Sequence, residues 1–518
     1  MRRLTPATAP RLGFALVLTL YLLTTRWEAM SGHQTSRLAA VESLVERGTL
    51  TIDASTYRNT EDQVRHQGKH YSSKPIGAIL LGVAIYAPLH AAGLSLSSNS
   101  GMVIYLLTLF SSGLLQALLA FFLTKALIRR GLQERSALLW SLCIATGTLL
   151  GAYATTLNSH TPAAAIITIA ALFALDADDP GQRRPFVVSG ILAGLSTSFD
   201  VPAGLTLVGV LPLALFYKHR LLRPALWFGL GAAALIALHL LANLAAYGTP
   251  LIASMAGEYY FPGSYWTSGH VSISDAIAET RMEKLWNMVL GTRGLFWHIP
   301  IVGLGLWAVA RLRTRAVRSE ALMALSLLLL PLLFYVFKTD PKVHGGSCIG
   351  PRWLLPSVPL LGLLAAQYPL RKTAGKAVRA GLLAMTLLVT LIAAYNPWPP
   401  AFSTLPILDN VTAITASCAP ARLDLVVPLE EMFIGKRPPY ITRFAELLEA
   451  GGRYDLAEME AKRAIAVDSN ALGARLILVR SLLHAGDKQS ATEEAERLES
   501  LAPDSEESRT ASALVPLR

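Results

Sequence analysis

Apolar runs of nearly 20 residues recur along most of this chain, and they constrain its fold more than any other feature. A helix needs about 20 predominantly apolar residues to cross the hydrocarbon core of a bilayer. Only 16% of the residues are charged, whereas a soluble domain usually carries about a quarter. We therefore predict an all-α fold, in which a polytopic helical membrane bundle is followed by a small soluble α-helical repeat domain.

The first apolar run, 12–25, follows a basic N-terminus and is not followed by a small-residue cleavage site. This pattern favours an uncleaved span with a cytoplasmic N-terminus over a signal peptide. The polar stretch 26–101 is then an outer loop. Further spans are predicted at about 102–127, 136–156, 162–175, 186–200, 202–217, 224–246, 294–310, 319–337, 353–367 and 377–395.

The loops between these spans differ in charge. Sixteen Lys and Arg residues fall in one alternating set of loops and six in the other, longer set. The more positive set should be cytoplasmic. This agrees with a cytoplasmic N-terminus only if the apolar run 76–94 does not cross, so we predict that it lies in the outer interface or re-enters beside the bundle. The expected result is about 11 spans in a cell inner (plasma) membrane, with an extracytoplasmic C-terminus.

The composition changes after the last span. We expect a membrane domain at 1–395, a proline-rich linker at 396–439, two tetratricopeptide-like repeats at 440–504 and a disordered tail at 505–518. Ala457 and Ala491 are 34 positions apart, as are Ala461 and Ala495, and 34 residues is the tetratricopeptide period. Two repeats are few for independent stability, so support from the membrane domain or from a protein partner is expected. A helical hairpin pair of no repeat family is the alternative.

The net charge of +11 is attributed to topology, and no basic patch interleaved with aromatic residues indicates a nucleic-acid partner. The chain has no P-loop, HExxH motif, serine-hydrolase elbow or metal-ligand cluster. Polar residues in two predicted outer turns, Asn158 with His160 and Asp200 with Pro202, are either functional or simply end helices.

Two later outer loops carry candidate ligand-binding residues. The aromatic, Gly-rich loop 257–270 contains Glu258, and its Tyr and Trp residues either anchor the protein at the interface or stack on a sugar or lipid head. The loop 338–362 contains His344 and Arg352. Arg352 can bind a phosphate bidentately or extend to the interface.

Two short motifs carry a resemblance to a known superfamily. The segment YSSKPIG at 71–77 resembles the YxxKPP-type segment of GT-C glycosyltransferases that use polyprenyl-phosphate sugars, such as aminoarabinose and protein mannosyl transferases. The segment GGSCIGPRW at 345–353 is also similar to membrane families of that superfamily. The resemblance covers roughly residues 10–395. It implies a GT-C-like fold with helices in the first outer loop, membrane lipids and a polyprenyl-phosphate-linked sugar as binding partners, and Lys74 at the lipid phosphate.

The same resemblance implies an Asp-Glu pair just after the first span, but this chain has SGHQTSR there. The stretch 36–47 has the pattern of an amphipathic helix with Glu42 and Glu46 on its solvated face. Asp53 follows the strand-like TLTI, so we predict Asp53 or Glu28 as the catalytic carboxylate. A base must reach the acceptor hydroxyl, and burial can raise its pKa toward the working pH. Tyr71 is a further candidate for substrate binding.

We therefore expect an integral membrane glycosyltransferase that moves a sugar from a polyprenyl-phosphate carrier to an extracytoplasmic acceptor. The resemblance leaves a divalent metal cofactor open, and no other cofactor is indicated. The alternative is a catalytically inactive GT-C-like scaffold whose outer repeats recruit an envelope protein. A transporter is a third interpretation, but no two halves show matching interrupted helices.

The three cysteines give one more prediction. Cys143 lies within a predicted span, whereas Cys348 and Cys418 both fall outside the cytoplasm under this topology. Paired cysteines persist in an oxidising compartment. A Cys348–Cys418 disulfide is therefore predicted, and two free thiols are the alternative.

Overall fold

The structure is a computed structural model that describes residues 7–258, 261–262, 264, 281–290, 294–311, 315–337, 348–367, 373–395, 397–398, 441–442, 445–446, 448–449 and 454–515. The chain divides into two compact units. The first comprises Met1–Ser268, His298–Lys338 and Arg352–Ala394, and the second Gly269–Trp297, Thr339–Pro351 and Tyr395–Arg518.

The first unit is built from helices and one β-hairpin. In chain order its elements are α1 (Thr8–Thr24), α2 (Gly32–Arg47), β1 (Gln63–His66), β2 (Lys69–Ser72), α3 (Ile76–Ala91), α4 (Ser100–Thr108), α5 (Leu114–Arg129), α6 (Glu134–Thr146), α7 (Leu149–Ala154), α8 (His160–Leu175), α9 (Arg184–Thr197), α10 (Val201–His219), α11 (Arg223–Tyr247) and α12 (Ala253–Ala256). A π-helical turn, Leu109–Gly113, joins α4 to α5.

Further helices follow the loop after α12. They are α13 (Arg281–Val289) in the second unit, α14 (Leu295–His298) at the boundary between the units, then α15 (Ile301–Arg311), α16 (Arg315–Phe337), a 3₁₀ helix (Arg352–Ser357), α17 (Val358–Gln367) and α18 (Thr373–Tyr395). Apart from α13, these helices coincide with apolar runs of the sequence, because a run of apolar residues with few charges can satisfy its backbone in lipid only as a helix.

Among the described residues, five helices are long and apolar enough to cross a membrane: Ser100–Arg129, Val201–His219, Arg223–Tyr247, Val317–Phe337 and Gly375–Tyr395. Large apolar side chains on α11, including Leu226, Leu230 and Leu241, are exposed at the protein surface. Lipid is the natural solvent for such a face. The predicted all-α membrane bundle is confirmed. The count of 11 spans and the non-crossing position of α3 stay predictions.

Small residues bring α9 and α11 into close contact. A Cβ atom added at Gly190 would lie 2.0 Å from the carbonyl oxygen of Phe228, and one at Gly231 would lie 2.3 Å from that of Val187. Helices in membranes associate through such small-residue contacts, since lipid provides no hydrophobic force between them. This pair forms one wall of the bundle.

The two ends of α8 carry different polar groups. His160 begins the helix and Asp176 caps its end. Arg130 donates to Asp176 at 2.6 Å and to Glu320 at 2.5 Å, which ties the ends of α5 and α8 to α16. A 16-residue helix is about 24 Å long. The Arg130 network and His160 therefore lie at opposite ends of α8.

The segment 26–101, predicted as an outer loop, differs from its predicted form in two respects. TLTI at 49–52 is not a strand and contributes a single bridge between Thr51 and Tyr71. The antiparallel hairpin is β1–β2, with His66 opposite Lys69. Gln67 and Gly68 both have positive φ, as a two-residue type I′ turn requires. The strand pairing of this segment thus lies at 63–72 and not at 49–52.

Glu42 is also placed differently from its prediction. It is 2% exposed, and its carboxylate accepts hydrogen bonds from the Thr56 backbone N–H at 2.9 Å, the Thr56 hydroxyl at 2.7 Å and Ser55. Glu46 accepts a hydrogen bond from the Tyr86 hydroxyl at 2.5 Å. The expected solvated face is covered because the loop 53–57 and α3 pack against it.

Within the described stretch 454–515, the second unit forms α19 (Tyr454–Val467), α20 (Leu472–Ala485), α21 (Lys488–Leu501) and α22 (Glu506–Leu514). The alanines with the 34-residue spacing are fully buried in one apolar core. The predicted disorder of 505–518 is contradicted at 506–514, because Ser505 caps α22 and Ala511 is buried. Assignment to the tetratricopeptide family stays a prediction.

Candidate functional site

The most concentrated polar chemistry of the first unit surrounds His33, in the first turn of α2. Lys74 Nζ lies 2.7 Å from His33 Nδ1, and Arg352 Nη2 lies 2.5 Å from His33 Nε2. Asp62 also contacts Nδ1. The ring of His33, on α2, therefore contacts residues on both sides of the β-hairpin and an arginine near position 350 of the chain. We call His33, Arg37, Asp62, Lys74 and Arg352 the His33 cluster.

The hairpin positions Asp62 and Lys74 on one side of His33. Asp62 immediately precedes β1, and its carbonyl oxygen accepts hydrogen bonds from Ser36 Oγ at 2.6 Å and from the Ser73 backbone N–H at 3.0 Å. Lys74 follows β2, and its Nζ lies 2.7 Å from Asp62 Oδ1. Strand pairing thus brings residues 12 positions apart into one ion pair.

Arg352 and Arg37 approach from other directions. Arg352 begins the 3₁₀ helix and is 5% exposed. Arg37 lies one turn after His33 on α2, and it donates to the His33 carbonyl oxygen at 2.7 Å and to Ser159 Oγ at 3.0 Å. Both guanidinium groups are therefore held inside the protein, where their charges are weakly screened.

The N-termini of α2, α3, α8 and α10 meet at this end of the bundle. His160, in the first turn of α8, bonds through Nδ1 to Asp200 at 2.8 Å. Asp200 is the N-cap of α10 and accepts from the Ala203 backbone N–H at 3.2 Å. The Gly77 N–H, in the first turn of α3, donates to the Ser198 carbonyl oxygen at 2.8 Å. Helix N-termini carry partial positive charge, which adds to the charge of the lysine and arginines.

The pKa values of the outer-loop groups are strongly shifted. Burial, followed by the charge of Arg352, holds the pKa of His33 well below its usual value, although Asp62 acts in the opposite direction. Burial lowers the pKa of Lys74 to about 8, again opposed by Asp62. Burial would raise the pKa of Asp62, but His33 and Lys74 together hold it well below its ordinary value. The cluster thus combines an ionised Asp62 with a neutral His33.

The five residues of the cluster include more cations than carboxylates. Arg37, Lys74 and Arg352 are three cations, and Asp62 is the one carboxylate among the five residues. Cations held close together inside a protein repel one another strongly, so an anion placed among them is stabilised. Phosphate suits such a site, because arginine and lysine bind phosphate through charge-assisted hydrogen bonds.

A divalent metal ion does not fit this cluster. Within the part of the chain that the structure describes, no three His, Cys, Asp or Glu side chains are grouped so that they could hold a metal ion. Asp62 is already engaged by His33 and Lys74, and the surrounding cations would repel a metal. The metal option left open by the sequence therefore has no site among these residues.

Lys74 and Arg352, both predicted to bind substrate, are brought together at the ring of His33. Two other candidates lie beside the hairpin. Tyr71, on β2, packs edge-on against Tyr247 with ring centroids 5.2 Å apart. Glu258 forms a two-way backbone bridge with Arg65 on β1. His344 lies outside the described residues.

The two predicted catalytic carboxylates have other partners. Asp53 pairs with His70 at 2.6 Å, and its side chain is 46% exposed. Glu28 lies 3.9 Å from Arg26, and its side chain is 59% exposed. The carboxylate that the structure places beside Lys74 is Asp62, which the sequence analysis did not single out.

Two more residues of this region, His33 and Arg37, were missed as site residues. His33 lies in the SGHQTSR stretch, where the resemblance implied an acidic pair, so a titratable residue at that position was an available signal. Arg37 fell within the predicted amphipathic helix and carried no separate signal. The pairing of His160 with Asp200 joins two turns that the sequence could identify only one at a time.

Comparisons with known proteins give distant likenesses. No protein-family profile matches the chain, and no curated protein matches it. Among solved structures, ArnT from Cupriavidus metallidurans bound to undecaprenyl phosphate is similar at 13% identity and a TM-score of 0.46, with 98% of this chain and 88% of that chain covered. Archaeal oligosaccharyltransferase AglB from Archaeoglobus fulgidus, in complex with an inhibitory peptide and a dolichol-phosphate, is similar at 10% identity and a TM-score of 0.45, with 83% and 60% covered. At these values the function has to be inferred from the chain's own residues.

Proposed function

We propose that the His33 cluster binds the phosphate of a polyprenyl-phosphate-linked sugar, and that the protein transfers this sugar to an extracytoplasmic acceptor. The observation that carries the proposal is the convergence of Lys74 and the buried Arg352 on the ring of His33. Lys74 and Arg352 supply two cations at the two nitrogens of one ring. Their charge-assisted bonds would stabilise the phosphate most as it leaves with the electron pair of the glycosidic bond.

The surroundings of the cluster suit a lipid carrier. The cluster lies at the N-termini of α3, α8 and α10, and α10 is among the helices long and apolar enough to cross a membrane. A polyprenyl chain can remain in the hydrocarbon while its phosphate reaches this end of the bundle. The YSSKPIG segment also supports the proposal, since the resemblance gives Lys74 this role.

A non-catalytic scaffold is the second candidate function. It is favoured by one observation, namely that Asp53 and Glu28, the predicted catalytic carboxylates, are paired with His70 and Arg26. In that case the cluster would hold a phosphate lipid without transferring its sugar, and the C-terminal repeats would recruit an envelope protein.

One measurement distinguishes the transferase from the scaffold. The purified protein is incubated with a panel of polyprenyl-phosphate-linked sugars, and free polyprenyl phosphate is measured by mass spectrometry. The transferase releases polyprenyl phosphate from at least one donor, and Lys74→Ala abolishes the release. Binding of the donors without release from any of them would support the scaffold.

The orientation of the protein in the membrane and its cellular location are part of the same proposal. The distribution of Lys and Arg favours a cytoplasmic N-terminus, extracytoplasmic C-terminal repeats and an inner-membrane location. Under this orientation the His33 cluster faces outward. The Cys348–Cys418 disulfide is also retained as a proposal, since Cys418 lies outside the described residues.

A further inference from the structure

The contacts of His33 determine which ring nitrogen carries its proton. An arginine guanidinium has only donors, so Arg352 Nη2, 2.5 Å from Nε2, requires that nitrogen to be an acceptor. A neutral imidazole has one N–H and one lone pair. The hydrogen therefore resides on Nδ1, where the partner is the carboxylate of Asp62. Lys74 Nζ lies 2.7 Å from both Nδ1 and Asp62 Oδ1, and with the proton on Nδ1 its hydrogen bond goes to the carboxylate.

This arrangement is a carboxylate–histidine pair with the lone pair of Nε2 directed at Arg352. A carboxylate at Nδ1–H fixes the tautomer and stabilises the imidazolium that forms when Nε2 takes a proton. Asp62 is itself held in place, because Ser36 and Ser73 both donate to its carbonyl oxygen. The geometry needed for a general base is thus present without either of the predicted catalytic carboxylates.

We propose that His33 Nε2 is the general base of the transfer, that Asp62 is its positioning residue, and that Arg352 occupies Nε2 until a carrier phosphate attracts the guanidinium. This inference rests on the proposed glycosyl transfer and adds the base and its control. A hydroxyl of the acceptor is the group from which His33 takes the proton.

The reaction step balances as follows. The acceptor oxygen forms a bond to the anomeric carbon while its proton passes to His33 Nε2. The bond between that carbon and the phosphate oxygen breaks, and its electron pair leaves on the polyprenyl phosphate. Lys74 and Arg352 balance the charge of the departing phosphate, and His33 later returns its proton to solvent.

A neutral base suits this cluster better than a carboxylate would. A second carboxylate at position 33 would pair with Lys74 and Arg352 and reduce the positive charge left for the phosphate. It would also be a weak base there, because nearby cations favour the ionised form of an acid. A neutral imidazole leaves all three cations available, and its basicity can rise once their charge is neutralised.

The phosphate and the base are therefore coupled through charge. His33 is faced by Asp62 and Lys74 from the hairpin, by Arg352 from the 3₁₀ helix and by Arg37 from its own helix. Among the described residues, His160 of α8, paired with Asp200 of α10, and Tyr335 of α16 also interact electrostatically with Arg352. A bound phosphate neutralises Lys74 and Arg352, and burial and Arg352 are what hold the pKa of His33 down. His33 should become a stronger base only after the donor has bound.

The test is nuclear magnetic resonance of the full-length protein in micelles, with labelled histidine rings and His33→Gln to assign the His33 signals. Farnesyl monophosphate is the probe and farnesol is the matched control. We expect Nδ1 to carry the proton in the absence of phosphate. With farnesyl monophosphate the pKa of His33 should rise by about one unit, because a charge of opposite sign has approached, and farnesol should leave it unchanged.

The result separates this inference from the proposed function. If farnesyl monophosphate does not bind, the phosphate site itself is refuted. If it binds but the pKa of His33 does not move, or if the proton resides on Nε2, the coupled base is refuted and the phosphate site stands. As a second readout, His33→Gln should bind farnesyl monophosphate but release no polyprenyl phosphate from a donor. Release at the wild-type rate would exclude His33 as the base.

Discussion

Arg352 and His33 are 319 positions apart in the chain, and their side chains meet at 2.5 Å. This contact links the first helix of the outer loop to the segment that precedes α17. Arg352 contacts Nε2 of the His33 ring, and Lys74 lies beside Nδ1 of the same ring. The proposed phosphate site thus combines two cations that local sequence patterns cannot connect.

Removal of the Arg352 charge should weaken phosphate binding. Arg352→Gln should reduce the affinity for farnesyl monophosphate by about tenfold or more, because one charge-assisted bond is lost and each tenfold corresponds to about 1.4 kcal/mol. Isothermal titration calorimetry gives the affinity. Arg58→Gln, an exposed arginine of the same outer loop, is the matched control and should bind as the wild type does. Equal losses in the two variants would contradict a specific role for Arg352.

The affinity for phosphate should depend on the protonation of Lys74. Burial lowers the pKa of this residue to about 8, and only the protonated amine attracts phosphate. The affinity should therefore be full below pH 8 and fall as the pH rises through about 8. In Lys74→Arg the decline should disappear from this range, since a guanidinium stays charged. A decline that persists in Lys74→Arg would assign it to another group.

The Arg130 network should stabilise the fold without affecting the phosphate site. Arg130→Ala removes the cation that Asp176 shares with the buried Glu320, and breaking such a buried pair costs about 3–5 kcal/mol. Arg129→Ala is the matched control, because Arg129 is mostly exposed and lies 3.6 Å from Asp176. Thermal unfolding should show a lower melting temperature for Arg130→Ala alone. A lower affinity for farnesyl monophosphate in the folded variant would contradict the separation of the two ends.

The helices of the bundle could be predicted because a membrane leaves a long apolar run few alternatives. Each predicted span corresponds to helical residues in the structure, from α1 to α18. Arg352 was singled out as a cation at the end of an apolar run, whereas Lys74 was singled out through the resemblance carried by YSSKPIG. These features depend on composition over short distances.

The His33–Asp62 pair depends instead on the β-hairpin, which places Asp62 beside α2. Glu42 shows the same limit, because an alternating pattern indicated a solvated face that the loop 53–57 covers. The α22 helix was missed because its few buried residues, Ala511 and Val515, are too small a signal. In each case the position of the residue or helix depends on a tertiary contact, and such a contact cannot be read from a single sequence.

The most direct test of the central claim compares the binding of farnesyl monophosphate and farnesol to three proteins: the wild type, Lys74→Ala and Lys69→Ala. Lys69 is an exposed lysine of the same hairpin, so it controls for the loss of a nearby positive charge. The phosphate site predicts that the wild type and Lys69→Ala prefer farnesyl monophosphate and that Lys74→Ala loses this preference. If Lys74→Ala, still folded, kept the full preference for the phosphate, the His33 cluster would not be the site.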